Sequence, residues 1–186
     1  MELSPQLGLG LWNGWVLLLL FNAIFGILLL AFKREVVARL YDRSQWSRRE
    51  MRLSAGGKLF ILAWFVLVSF TSLKMGHWVF TLGIVFYVLG LAGFVVALLN
   101  FHATPLEHPV ERGIYRWSRN PQQVAIFVAY AGISLAVGSW LALLLISIGI
   151  VWGHVRVVAE EQSCLAQYGD SYRSYMKNVP RYFLFF

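Results

Sequence analysis

Residues 113–162 read GIYRWSRNPQQVAIFVAYAGISLAVGSWLALLLISIGIVWGHVRVVAEEQ, and this stretch decides the fold. Between Gln123 and Val155 it carries no Asp, Glu, Lys or Arg. That is too long for one bilayer crossing, which takes about 20 residues. Gly138-Ser139 stands near its middle, where glycine's freedom suits a tight reversal. The reading is a helical hairpin, with spans over 121–137 and 140–155. Both spans are short, which implies a locally thin bilayer or helices that run on into the interface. A chain that enters and returns brings two polar flanks, GIYRWSRNP and HVRVVAEEQSCLAQYGDSYRSYM, to one membrane face.

Composition agrees with a bilayer solvent. Of the 186 residues 59% are hydrophobic and 13% charged, and mean hydropathy is +0.64; an ordinary soluble domain is about 25% charged. Working outward from the hairpin, apolar runs over 7–32, 59–73 and 78–99 predict three further spans. Ala55-Gly56-Gly57 reads as a break before the second, and 33–58 as a basic interfacial loop. The expected architecture is one all-α integral membrane domain, residues 1–186, of five transmembrane helices with a C-terminal cytoplasmic helical segment. The site is expected in 101–186. MELSPQLGLG has no basic region ahead of its apolar stretch, which argues against a removable signal peptide.

Charge orients the chain. Five spans put residues 33–58, 101–120 and 156–186 on one side, and they hold 8, 3 and 4 Lys/Arg, 15 of the 16. Only Lys74 is opposite. The positive-inside rule then sets the N-terminus outside and the C-terminus in the cytoplasm. The net charge of +7 therefore reports topology and attraction to anionic lipid, not nucleic acid. Four His and one Cys show no metal-ligand spacing, and the lone Cys164 reads as an inert side chain.

The hairpin's flanks hold an ordered set of short motifs: His108-Pro109-Val110, Gly113-Ile114-Tyr115-Arg116, Arg119-Asn120-Pro121, Glu160-Glu161 with Leu165, Tyr168-Gly169 with Tyr172 and Tyr175, and Pro180-Arg181. In order and spacing they resemble the isoprenylcysteine carboxyl methyltransferase and phospholipid N-methyltransferase superfamily over residues 108–186. The first hundred residues resemble it only in being spans. That resemblance implies methyl transfer from S-adenosylmethionine to a lipophilic or lipid acceptor at the membrane surface. It implies cofactor binding by His108, Val110, Gly113, Tyr115, Arg119, Asn120, Pro121, Glu160, Glu161, Tyr172 and Tyr175, with Arg119 and Glu161 as the catalytic pair.

The residue types suit that ligand. Arg119 offers a planar fork for its carboxylate, Glu160 or Glu161 a partner for its ammonium, and Tyr115, Trp117, Tyr172 or Tyr175 a ring for adenine or sulfonium. A sulfonium donor is already activated, so alignment and exclusion of water carry the reaction. An amine or thiol acceptor needs a base, for which Glu161, His108 and His154 are the nearby candidates. If the fifth span continues as helix through Ala166, Arg156 and Glu160 form an i,i+4 pair, leaving Glu161 to face the ligand.

Plainer readings accompany these residues. Asn120, Pro121 and Gln123 form a capping-box-like helix start, and Gly169 suits a helix C-cap. The tyrosines suit an interfacial belt. Asn120 also stands where the superfamily has His and Gln123 where it commonly has Tyr, a departure that fits a different acceptor. An NADPH-dependent membrane reductase of the sterol-reductase type and a non-enzymatic membrane scaffold are the competing functions.

Overall fold

A computed structural model describes residues 1–3 and 5–183. Among these, seven α-helices follow in order: α1 Trp15–Ala31, α2 Arg34–Tyr41, α3 Arg48–Ser69, α4 Trp78–His102, α5 Pro121–Ala136, α6 Trp140–Tyr168 and α7 Asp170–Asn178. A 3-10 turn, Gly113–Arg116, lies between α4 and α5. The described residues contain isolated β-bridges but no named strand, so the all-helical expectation holds. By length and apolarity α3, α4 and α6 qualify to cross a membrane, while α1 and α5 are apolar but shorter, at 17 and 16 residues.

The hairpin turns where glycine allows it. Gly138 adopts φ +67°, Ser139 caps α6 by accepting from Ala142 N–H, and α6 then runs unbroken for 29 residues. At 1.5 Å per residue it is about 44 Å long, beyond the roughly 30 Å hydrocarbon core. Its last turns therefore project past the apolar layer with Glu160 and Glu161 on them.

Three expected boundaries move. The first helix begins at Trp15, not at residue 7, because residues 7–14 are drawn across the α3–α4 connection instead of coiling. Gly8 and Gly14 N–H donate to the Phe70 and Thr71 carbonyls (2.9 and 3.0 Å). The buried Asn13 side chain donates to Gly8 O and Ser69 O and accepts from Ser72 Oγ. Basic residues 33–58 are not a loop throughout: they form α2 and the start of α3, which a Ser47–Glu50 capping box nucleates. Nor do Gly56 and Gly57 break α3. A Cβ on Gly57 would stand 2.7 Å from Trp152 Cβ, so glycine there lets α6 pack closely on α3.

The same device joins α4 to α5. A side chain on Gly90 would overlap the backbone of Ala129, one on Gly83 that of Ala136, and one on Gly132 that of Tyr87. Bilayers supply little hydrophobic drive between helices, so close contact of small residues is what holds such a pair. Around it, Trp64 is fully buried, stacks on Tyr130 at 4.5 Å and donates Nε1–H to Ser134 Oγ (2.8 Å). Tyr87 ties α4 to α1 by donating to Leu17 O (2.8 Å). This rigid bundle carries the polar elements α2, the 103–120 connection and α7 at the end opposite the N-terminal strap.

Candidate active site

The turn before α5 and the end of α6 meet around one carboxylate. Arg119 Nε donates to Glu161 Oε1 (3.0 Å) and Nη2 to Oε2 (3.4 Å). Arg181 Nε and Nη2 reach Oε2 at 3.0 and 2.9 Å, and Asn120 Nδ2 reaches Oε1 at 3.0 Å. Glu161 is 3% exposed, and such burial is tolerable for a carboxylate only with this many donors. Arg119 spends Nη1 on Met176 O and Val179 O (2.8 and 2.7 Å), and its own N–H on Pro180 O. The cluster thus fastens the segment after α7 to the start of α5.

This geometry revises two expectations. Asn120 does start α5, with Pro121 at its first turn, but its side chain makes no capping bond and faces Glu161 instead. Arg119 does not hold a free fork, since its guanidinium is committed to Glu161 and two carbonyls. The Arg156–Glu160 pair forms as the helix spacing requires, Nε to Oε1 2.7 Å, and Gly169 caps α6 at φ +56°.

Beside the cluster lies a cavity of about 360 Å³, within the ~300–1,000 Å³ of small-molecule sites. Val110, Tyr115, Arg119, Asn120, Glu160, Glu161, Tyr172 and Tyr175 line it. His108, Gly113 and Pro121 do not, nor do Trp117 and His154. His108 is exposed and offers its carbonyl to Arg39; Gly113 makes the left-handed turn, φ +59°, packed on Asn100; His154 instead meets the Tyr182 hydroxyl at 3.1 Å. Tyr175 donates to Tyr115 O (2.6 Å), and Tyr115's own hydroxyl accepts from Gln122 (2.8 Å). Burial pushes the phenols of Tyr115, Tyr172 and Tyr175 above the ordinary tyrosine range, so all three stay protonated at physiological pH.

Several lining residues escaped the sequence reading. Glu35, Arg39 and Leu40 of α2 and Asp42, Ser44 and Gln45 after it close one side. The only signal was that the 33–58 segment is basic, which topology already explained. Phe101, Ile126 and Cys164 are likewise on the wall, indistinguishable in sequence from other apolar helix positions.

Comparison with known proteins completes the picture. The phospholipid methyltransferase family matches residues 51–171. The protein-S-isoprenylcysteine O-methyltransferase of Schizosaccharomyces pombe is 34% identical over 73 residues, 38% of this chain and 30% of that enzyme, so the chain spans under a third of the relative's length. No solved structure matches. The family match takes in α4, α5, α6 and most of the cavity wall, and on it this integral membrane chain belongs to the phospholipid methyltransferase family.

Proposed function

We propose that the protein transfers a methyl group from S-adenosylmethionine to a lipophilic acceptor at the cytoplasmic face of the membrane. The observation that carries the reading is the cavity: anionic, cationic and aromatic groups face one space at the end of an apolar bundle. When bound, S-adenosylmethionine supplies an activated methyl on a sulfonium. The residues present fit it. Glu160 suits its ammonium, the Arg156 guanidinium its carboxylate, and the Tyr115, Tyr168 and Tyr172 rings its adenine or its cationic sulfur. Arg119, Arg181 and Asn120 act on it through Glu161, whose carboxylate is saturated by donors and holds the walls together.

The chemistry asked of these side chains is alignment and dehydration more than proton transfer. Leu40, Phe101, Leu106 and Ile126 give the cavity an apolar side, which suits an acceptor concentrated in the bilayer. The S. pombe relative's name makes an isoprenylcysteine-type acceptor one choice, and the family's name a phospholipid another. A five-span topology is consistent with the ends of the bundle: the N-terminal strap meets Lys74 and Gly138 at one end, and the cavity, with Arg39, Arg119 and Arg156 on its wall, lies at the other.

Calorimetric titration of the purified protein with S-adenosylmethionine and with NADPH tests the reading. Saturable binding of the first alone is expected. Binding of NADPH alone would make the protein a reductase, and binding of neither a scaffold.

A further inference from the structure

Arg39 stands on α2, outside the residues that match the family, yet its guanidinium reaches across to the ends of α4 and α6 and to the connection after α4. Its guanidinium lies over the Phe101 ring at 5.0 Å and the Tyr168 ring at 5.7 Å, at the ends of α4 and α6. The same group donates Nη1–H to Thr104 O (3.5 Å) and Pro105 O (3.2 Å) and Nη2–H to His108 O (2.7 Å). Tyr168 adds a bond from its hydroxyl to Leu106 O (3.2 Å). Four carbonyls of one connection are thus gathered by two side chains, and that connection continues directly into Pro109 and Val110 on the cavity wall.

Resting on the cofactor reading above, we infer that Arg39 is a positioning residue of the cavity: by clamping the 103–110 connection between α4 and α6 it holds that wall in its ligand-ready place. The connection has no helix of its own and includes Pro105 and Pro109, which cannot donate backbone bonds. Within reach of the connection, His108 N–H donates to Pro105 O (3.3 Å) and Arg112 to Ala103 O (3.0 Å), while the Thr104, Leu106 and His108 carbonyls take their bonds from Arg39 and Tyr168. Arg alone combines a flat cation for two rings with several donors fanned in one plane; Lys keeps the charge and loses both. Recruiting α2 this way makes the first cytoplasmic segment part of the ligand site and lets ligand binding order it.

Cys164 supplies the probe, because it is the chain's single cysteine and lies on the same cavity wall. Detergent-purified wild type, Arg39→Ala and Arg39→Lys would be compared for the rate of Cys164 labelling by a fluorescent maleimide, for S-adenosylmethionine affinity and for melting temperature. Arg39→Ala is expected to label at least tenfold faster and to bind the cofactor at least tenfold more weakly, with melting within a few degrees of wild type. Arg39→Lys should recover less than half of either effect on a logarithmic scale. Unchanged labelling and affinity in folded Arg39→Ala overturns the inference. Faster labelling in Arg39→Ala together with no cofactor binding by wild type keeps the clamp and removes the cofactor reading. Should Arg39→Ala not fold, Tyr168→Phe, which retains the ring and loses the bond to Leu106 O, must still label faster, and an unchanged rate there overturns the proposal equally.

Discussion

Arg119 and Glu161 stand on opposite sides of the α5–α6 hairpin and meet with Nε 3.0 Å from Oε1, each side chain 3% exposed. Removing Arg119 leaves Glu161 to Arg181 and Asn120, whereas removing Glu161 leaves the buried Arg119 charge with carbonyl acceptors alone. Glu161→Ala should therefore destabilise the protein by about 3–5 kcal/mol, the range for breaking a buried ion pair, and both Glu161→Ala and Arg119→Ala should weaken S-adenosylmethionine binding at least tenfold. Thermal unfolding in detergent checks this. The Arg119→Ala, Glu161→Ala double variant should lose much less than the sum of the singles, because the two residues share one network; additive losses would show that they act separately.

Glu160 makes the opposite prediction. Its pairing with Arg156 is at a half-open position, side chains 39% and 37% exposed for Arg156 and Glu160, where ion pairs contribute little to stability. Glu160→Gln should melt with wild type yet bind S-adenosylmethionine at least tenfold more weakly. Titration and melting of one preparation separate the two effects, and full affinity would remove Glu160 from the ligand's contacts.

Gly90 tests the close approach of α4 and α5. Gly90→Ala puts a methyl where the Ala129 backbone already lies, and overpacking of this kind costs about 1–3 kcal/mol. Gly26→Ala, with nothing within 4 Å of the new atom, should be neutral or slightly stabilising, since Ala is the better helix former. Equal melting of the two variants would disprove the contact.

The proposed five-span topology predicts that a tag ahead of Met1 is reachable by protease from outside intact cells and one after Phe186 is not. Residues 184–186 lie outside the described residues, but α7 and the stretch to Phe183 are at the cavity end. Protection or exposure of both tags together would require an even number of crossings.

Much of the candidate site was legible in the sequence because helix periodicity is local. Knowing that α6 continues past the bilayer is enough to pair Arg156 with Glu160, and the Gly138-Ser139 turn is enough to bring Arg119 and Glu161 to the same end. Which partner each would choose was not legible. Arg119 looked like a ligand fork because its bonds to Met176 and Val179 come from a segment whose path depends on Gly169 and α7. Residues 7–14 looked like helix because leucines at 7, 9 and 11 are apolar, and Asn13's bonds to the α3–α4 connection draw them out.

By itself the chain's order of residues determined the solvent, the all-helical architecture, the reversal at Gly138, the polar face and the family resemblance of its second half. Each of these follows from composition or from spacing within a turn or two of helix. Only the tertiary structure decided that Glu161 is a saturated hub, that glycines 57, 83, 90 and 132 are contact points between helices, and that Arg39 of α2 stands on the cavity wall. Those depend on partners 20 (Arg181 and Glu161) to 129 (Arg39 and Tyr168) positions away, and a guanidinium or a glycine has the same appearance in sequence whichever neighbour the fold brings to it.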